Sequence, residues 1–285
     1  MNFHDFYQDG VCRYSFEIFP PKDEAGIQGL FEALKELAVF NPAFISCTYG
    51  AMGTTRELTK DLALRIQHEL QLTSAFHFTC VGSGKNEIKS YVESLKKEGL
   101  NLIVALRGDP PQGAEKFVKP KDGFAYANEL VVYLREINGF SIAVAGYPEG
   151  HVECASKEDD LVNLKRKVDA GADVVITQLF FDNRDFYDFE ARARKVGIQV
   201  PIIPGIMPIV SAKQIEKISR MCGAKLPQGL REQLARHQED AEAVKQIGIE
   251  HATQQCQGLL QHKALGIHFY TLNKAYSTQR VIEGL

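Results

Sequence analysis

EDDLVNLKRKVDAGADVVITQLFF, residues 158–181, holds one whole structural unit of this chain. Its first half (158–172) repeats apolar residues at helical spacing. Lys165, Arg166 and Lys167 then fall where a last turn favours cations, and Gly171 falls where a helix can stop. Its second half, DVVITQLFF (173–181), is almost continuously apolar, as strands buried on both faces are. A helix running through a glycine into such a strand predicts a parallel β/α architecture.

Seven further runs carry the same strand signature: YSFEIF (14–19), AFISCTY (43–49), AFHFTCV (75–81), NLIVALRG (101–108), SIAVAGY (141–147), VPIIPGI (200–206) and GIHFYTL (266–272). Amphipathic segments lie between them, among them 29–40, 56–70 and 86–99. A clear helix follows each strand except the last. Eight such units predict an α/β fold of the closed (β/α)8 TIM-barrel type. The interval between the last two strands carries extra helices, near 211–222 and 238–262, with KLPQGLREQL (225–234) as a loop and a further helical turn. No Gly/Ser-rich linker divides the chain, so residues 1–285 are expected to form a single catalytic domain. The alternative, an open doubly wound sheet, is disfavoured because no GxGxxG follows the first strand.

The net charge of −3 offers no general attraction to nucleic acid or anionic lipid. No apolar run approaches the roughly 20 residues that span a bilayer. MNFHDFYQDG lacks the basic-then-apolar layout of a signal peptide, so a cytoplasmic, soluble protein is expected. Cys12, Cys47, Cys80, Cys154, Cys222 and Cys256 include no pair spaced for zinc or for a CxxC couple, and no metal site is expected. Cys12, Cys47 and Cys80 read as small core hydrophobes. Helices on the outside of a barrel leave surface for a homo-oligomer.

In a barrel of this kind the active site lies at the C-terminal strand ends. Those ends supply Glu17, Thr48, Tyr49, His77, Arg107-Gly108-Asp109, Tyr147, His151, Gln178, His268, Tyr270, Asn273 and Lys274. Any one of them alone reads as a hydrogen-bonded interior polar group; the set at one face reads as a ligand site. Glu17 is conspicuous, because a buried carboxylate without a partner is costly. Arg107-Gly108-Asp109 joins a phosphate-binding guanidinium to an acid, with a glycine that lets a ligand approach. On the 158–172 helix, Asp160, Asn163 and Lys167 share one face, which could be solvated or could meet a pyrophosphate or ribose.

The strings SFEIFPP, SCTYGA, HFTC, IVALRGDPP, YPEGH, DLVNLKRKVDAGAD, ITQLFFD, IIPGIMP and HFYTLN span residues 15–273. In this order they resemble the methylenetetrahydrofolate reductases of the bacterial, single-domain type. The resemblance implies a barrel that holds FAD and takes hydride from NADH or NADPH. It then reduces 5,10-methylenetetrahydrofolate to 5-methyltetrahydrofolate in two ping-pong half-reactions, supplying methyl groups for methionine synthesis. With no further domain after Leu285, it implies the type without the S-adenosylmethionine-inhibited regulatory domain of the animal enzymes.

Carried over motif by motif, the resemblance makes Glu17 the acid that opens the folate ring, protonated near neutral pH because an apolar strand raises its pKa. Asp109 contacts folate and tunes the flavin. The FAD contacts are Tyr49, Ala51, His77, Arg107, Gly108, Asp109, Tyr126, Ala127, Tyr147, His151, Asp160, Asn163, Arg166 and Lys167. Thr48, Asp109, Gln178, Gln214 and Lys274 bind the substrates. Three positions depart from the family's pattern: Ile218 for a stacking aromatic, Lys274 for arginine, and Cys154 for alanine. The competing functions are another barrel enzyme of lyase or aldolase type, and a flavin- or folate-binding barrel without turnover.

Overall fold

The computed structural model describes residues 2–48, 56–109 and 117–285. Eight parallel strands close into a barrel in sequence order: β1 Arg13–Ile18, β2 Ile45–Cys47, β3 Ser74–Thr79, β4 Leu102–Leu106, β5 Ser141–Gly146, β6 Val174–Leu179, β7 Ile202–Ile206 and β8 Gly266–Tyr270. The ring closes where β8 pairs with β1, Ser15 opposite His268 and Glu17 opposite Tyr270. The expected strands thus form, trimmed at their ends. The tail of the expected second strand, at Tyr49, lies outside the described residues.

The helices around the barrel are α1 Glu24–Ala38, α2 Arg56–Leu70, α3 Lys85–Lys97, α4 Ala127–Ile137, α5 Lys157–Asp169, α6 Asn183–Lys195, α7 Ala212–Cys222, α8 Gln228–Arg236, α9 Ala241–Gln261 and α10 Tyr276–Glu283. α1 begins earlier than the expected 29 because Asp23 caps it, its carboxylate accepting from the Gly26 amide at 2.8 Å. α8 is a nine-residue helix where only a helical turn was expected. Leu230 and Leu234, four apart, bury one of its faces in an apolar cluster with Leu179, Phe181, Met207 and Val244. α10 supplies the helix that the eighth strand lacked in the sequence reading.

The barrel has two apolar layers. Between strands and helices lies a continuous core that includes Phe16, Phe76, Phe186, Phe189 and Phe269. Inside, Phe44, Leu102, Val174 and Ile203 fill the end away from the strand C-termini. A short 3-10 helix, Phe3–Tyr7, plugs that end, with Phe3 edge-on to Phe44 at 5.0 Å. With one end plugged, open interior space lies toward the strand C-termini. Among the described residues no helix is long and apolar enough to cross a membrane, and all six cysteines are free thiols.

Gly205 on β7 shows how tightly the upper layer is fitted. A Cβ there would run into the Thr177 carbonyl oxygen and, at 2.7 Å, the Tyr270 ring. The ring lies across the glycine and donates its hydroxyl to the Thr177 carbonyl at 2.6 Å. Gly205→Ala is therefore expected to cost about 2 kcal/mol through overpacking. Gly229→Ala on α8, where a Cβ meets nothing within 4 Å, should change stability by less than about 0.5 kcal/mol. Urea unfolding of the two variants measures the contrast.

Candidate active site

The cavity at the C-terminal mouth of the barrel, about 340 Å³, is built from strand ends. Glu17 enters from β1, His77 and Thr79 from β3, Arg107, Gly108 and Asp109 from the exit of β4, Tyr147 and His151 from beyond β5, Gln178 from β6 and Tyr270 from β8. Thr48, just past β2, completes this wall. Alternation along β1 places a second polar side chain beneath Glu17. Ser15 lies two residues earlier and so on the same inward face.

Glu17 is held between two imidazoles. Its Oε2 is 3.3 Å from His77 Nε2 and 3.5 Å from His268 Nε2. His268 is fully buried, stacked on Phe44, and its Nδ1 is 2.8 Å from Ser15 Oγ. Burial raises the Glu17 carboxyl, but His77 and His268 together outweigh it and hold Glu17 below its ordinary value of 4.5. This corrects the expectation of a carboxyl raised by an apolar strand. The strand is apolar, yet the side chain projects to where two other strands bring nitrogen. Burial also pushes His77 below its ordinary 6.5, against the pull of Glu17. The free protein therefore presents a carboxylate facing imidazole edges.

Gln178 sits where the β6–β7 register breaks between Ile176 and Leu179. Such irregularities re-aim side chains beside active sites. Its Oε1 accepts from the Leu179 amide at 2.8 Å. At Gly108 the backbone is left-handed (φ 86°), and a Cβ would strike Val81 and Thr79. Only glycine lets the chain turn there, keeping main chain exposed to the cavity.

A second cavity, about 600 Å³, shares Leu106, Arg107, Ala145, Tyr147 and His151 with the first. Tyr126 and Ala127 line it at the start of α4, and Asp160, Asn163, Arg166 and Lys167 line it from α5. The α5 face is thus half sunk rather than simply solvated. Asp160 is buried, and the Lys167 ammonium donates to the Ala145 carbonyl. Burial pushes Lys167 down to about 8 against the pull of Asp160, and it raises Asp160 in turn against the pull of Lys167. Arg107 pairs through both terminal nitrogens with Glu153, which the sequence reading missed. Cys154 touches this wall through Asp160 and Asn163 at 3.7 and 3.6 Å.

A third cavity, about 270 Å³, adjoins the first at Tyr270 and holds Gln214 and Lys274. Every described residue that the resemblance assigns to the site therefore lines one of three adjoining cavities, whereas His268 and Asn273, also expected at this face, line none of them; Tyr49 and Ala51 lie outside the described residues. Ile218 packs against the apolar cluster under α7–α9. No group of three or more His, Cys, Asp or Glu among the described residues could hold a metal ion.

The family model for methylenetetrahydrofolate reductase matches residues 2–285. A 5,10-methylenetetrahydrofolate reductase of Escherichia coli is 38% identical over 93% of this chain and 88% of its own length. The chain belongs to the methylenetetrahydrofolate reductase family. It is also 40% identical to "Methylenetetrahydrofolate reductase (NADH) 1" of Arabidopsis thaliana over 93% of its length, but covers 47% of that protein. The chain thus spans about half the length of the plant relatives it matches.

Among solved structures, a Clostridium thermocellum protein described as binding two copies of 5-methyl-5,6,7,8-tetrahydrofolic acid superposes with a TM-score of 0.66 at 16% identity. The match covers 96% of this chain and 93% of that one. A 2,3-dimethylmalate lyase follows with a TM-score of 0.54 at 10% identity, over 98% and 82%. At such identities both likenesses show the barrel fold alone, and the lyase likeness gives the competing lyase reading no support in chemistry.

The His77 shift has a consequence for stability. The unfolded chain takes up a proton near pH 6.5 that the folded chain refuses, so stability falls as pH drops below 6.5 and is complete above it. His77→Asn should lose less stability than the wild type between about pH 7 and pH 5.5. Parallel unfolding curves for the two proteins would contradict this.

Proposed function

We propose that this protein is an FAD-dependent reductase that takes hydride from NADH or NADPH and delivers it to 5,10-methylenetetrahydrofolate, yielding 5-methyltetrahydrofolate. The supporting observation is the meeting of Glu17, Asp109 and Gln178 in one barrel mouth, beside a cavity lined by Arg107, Arg166 and Lys167, in a chain of this family. We further propose that residues 1–285 act as one catalytic barrel, working in the cytoplasm and feeding methyl groups to methionine synthesis.

The residues present fit FAD. The two adjoining cavities, about 340 and 600 Å³, share a wall at Arg107, Tyr147 and His151, and their volumes lie within the usual range for ligand sites. Arg107, Arg166 and Lys167 supply cations and Asn163 an amide for a diphosphate and ribose. The buried Thr79 Oγ1 has no hydrogen-bond partner in the protein, while His77 Nε2 faces the Glu17 carboxylate at 3.3 Å, and both residues line the first cavity. Gly108 leaves the backbone free to approach a flat ring. Bound there, FAD supplies the hydride relay between nicotinamide and folate.

The chain's own residues do the rest. Asp109 at the rim places negative charge beside the ring system, and Gln178 and Thr48 offer hydrogen bonds to whichever substrate occupies the mouth. Gln214 and Lys274 face the third cavity, where Lys274 suits the carboxylates of a folate tail. Glu17 donates the proton that opens the five-membered folate ring. Covering the mouth with a substrate ring deepens its burial, the one influence that raises this carboxyl. With Ser15 donating to Nδ1, His268 keeps its proton on Nε2 and points it at Glu17, which fixes the position of the carboxyl.

The test uses the purified protein with FAD, in the absence of oxygen. Nicotinamide nucleotide should bleach the flavin band and methylenetetrahydrofolate should restore it, with the nucleotide that bleaches faster naming the donor. Glu17→Gln should keep the bleaching and slow the restoration about a thousandfold. A protein that takes up no flavin would overturn the proposal; normal restoration in Glu17→Gln would remove the acid from Glu17.

A further inference from the structure

Side chains from the segment leaving β8 hold it to β1 beyond the last rung of the strand ladder. The Thr271 hydroxyl donates to the Glu17 carbonyl at 2.7 Å, and the Thr271 amide reaches the same oxygen at 3.3 Å. The chain then turns through Leu272 and Asn273, both left-handed, at φ 52° and 59°. That turn brings the Asn273 carboxamide back against Phe19. The Phe19 amide donates to Asn273 Oδ1 at 2.9 Å, and Asn273 Nδ2 donates to the Phe19 carbonyl at 2.7 Å.

A carboxamide offers one donor and one acceptor side by side, as a peptide group does. Asn273 therefore adds a rung to the β1–β8 seam after the β8 backbone has turned away. Two successive non-glycine residues in the left-handed region cost energy and persist only where the surroundings over-determine them. Asparagine is among the side chains that enter that region most readily. β1 needs such a hold, since it ends at Ile18, Phe19 is half exposed, and Pro20 has no amide to extend a ladder.

We propose that Asn273 is a positioning residue for Glu17. Its carboxamide clamps the end of β1 onto β8 and so keeps the Glu17 carboxyl 3.5 Å from His268. The inference rests on the reading of Glu17 as the proton donor to folate. Displacing such a group by about 1 Å is enough to cost a large factor in rate.

Asn273→Asp and Asn273→Gly test it. Aspartate keeps the acceptor for Phe19 but, when ionised, loses the donor and turns a charge toward the Phe19 carbonyl; protonated, it regains the donor. Folate turnover by Asn273→Asp, taken as a ratio to wild type, should be down about tenfold above roughly pH 5, where the carboxyl is ionised, and recover only as pH falls toward about 4, while flavin bleaching is unchanged. Glycine keeps the left-handed backbone without the clamp, so Asn273→Gly should show the loss at every pH. Glu17, Lys22 and Asp23 on the β1 side, and His268, Tyr270 and Lys274 on the β8 side, are present in both proteins, and Asn273→Gly, which adds no carboxyl, separates their contribution from that of the residue at 273.

A ratio for Asn273→Asp that ignores pH, or wild-type turnover in Asn273→Gly, overturns the proposal. If the wild type itself reduces no folate, the functional reading fails instead, and hydrogen exchange at the Phe19 amide still decides on the clamp. Exchange should be faster in Asn273→Gly than in wild type; equal rates overturn the clamp.

Discussion

A carboxylate set between two imidazoles at the open end of a closed barrel is the constraint on which the site depends. The cation on β1, Arg13, pairs with Asp9 and not with Glu17. The partners of Glu17 come from β3, through His77, and from β8, through His268. β8 lies beside β1 only because the sheet closes on itself. In an open sheet the first and last strands would not meet, and Glu17 would be a buried charge with half its support missing. Barrel closure and the chemistry of the mouth are therefore one requirement.

The same seam organises what surrounds it. Tyr270, opposite Glu17, spans the glycine at 205 to reach Thr177 on β6, tying three strands together in the cavity wall. Beyond it, Thr271 and Asn273 fasten the end of β1. On the other side of the mouth, Gly108 and the bulge at Gln178 open the backbone where a flat ligand would approach. The rim leaves main chain open to the cavity, and the β1–β8 side is held by side-chain hydrogen bonds, which supplies the rigidity that the proposed acid role of Glu17 requires.

The sequence made the strands and most helices readable because each rests on local periodicity. The α2 boundaries, 56 and 70, follow from an uninterrupted amphipathic run. α1 was harder, since its start depends on the Asp23 cap and its first turns carry Gly26 and Gly29. α8 depends on a cluster drawn from β6, β7 and α9, which no local pattern reports. The α5 face was legible as a stripe, though its choice between solvent and ligand was not; the fold decided it by sinking Asp160 and Lys167.

The charge on Glu17 was the least legible feature. Local sequence shows apolar neighbours and so suggests a raised carboxyl, while His268 stands 251 residues away in the chain. The most direct test of the account is therefore the titration of the Glu17 carboxyl in the free protein, followed by carbon-13 NMR of labelled glutamate with Glu17→Gln for assignment. The account expects an ionised carboxylate at neutral pH that takes up its proton only below the ordinary 4.5. A Glu17 carboxyl still protonated at neutral pH would contradict it.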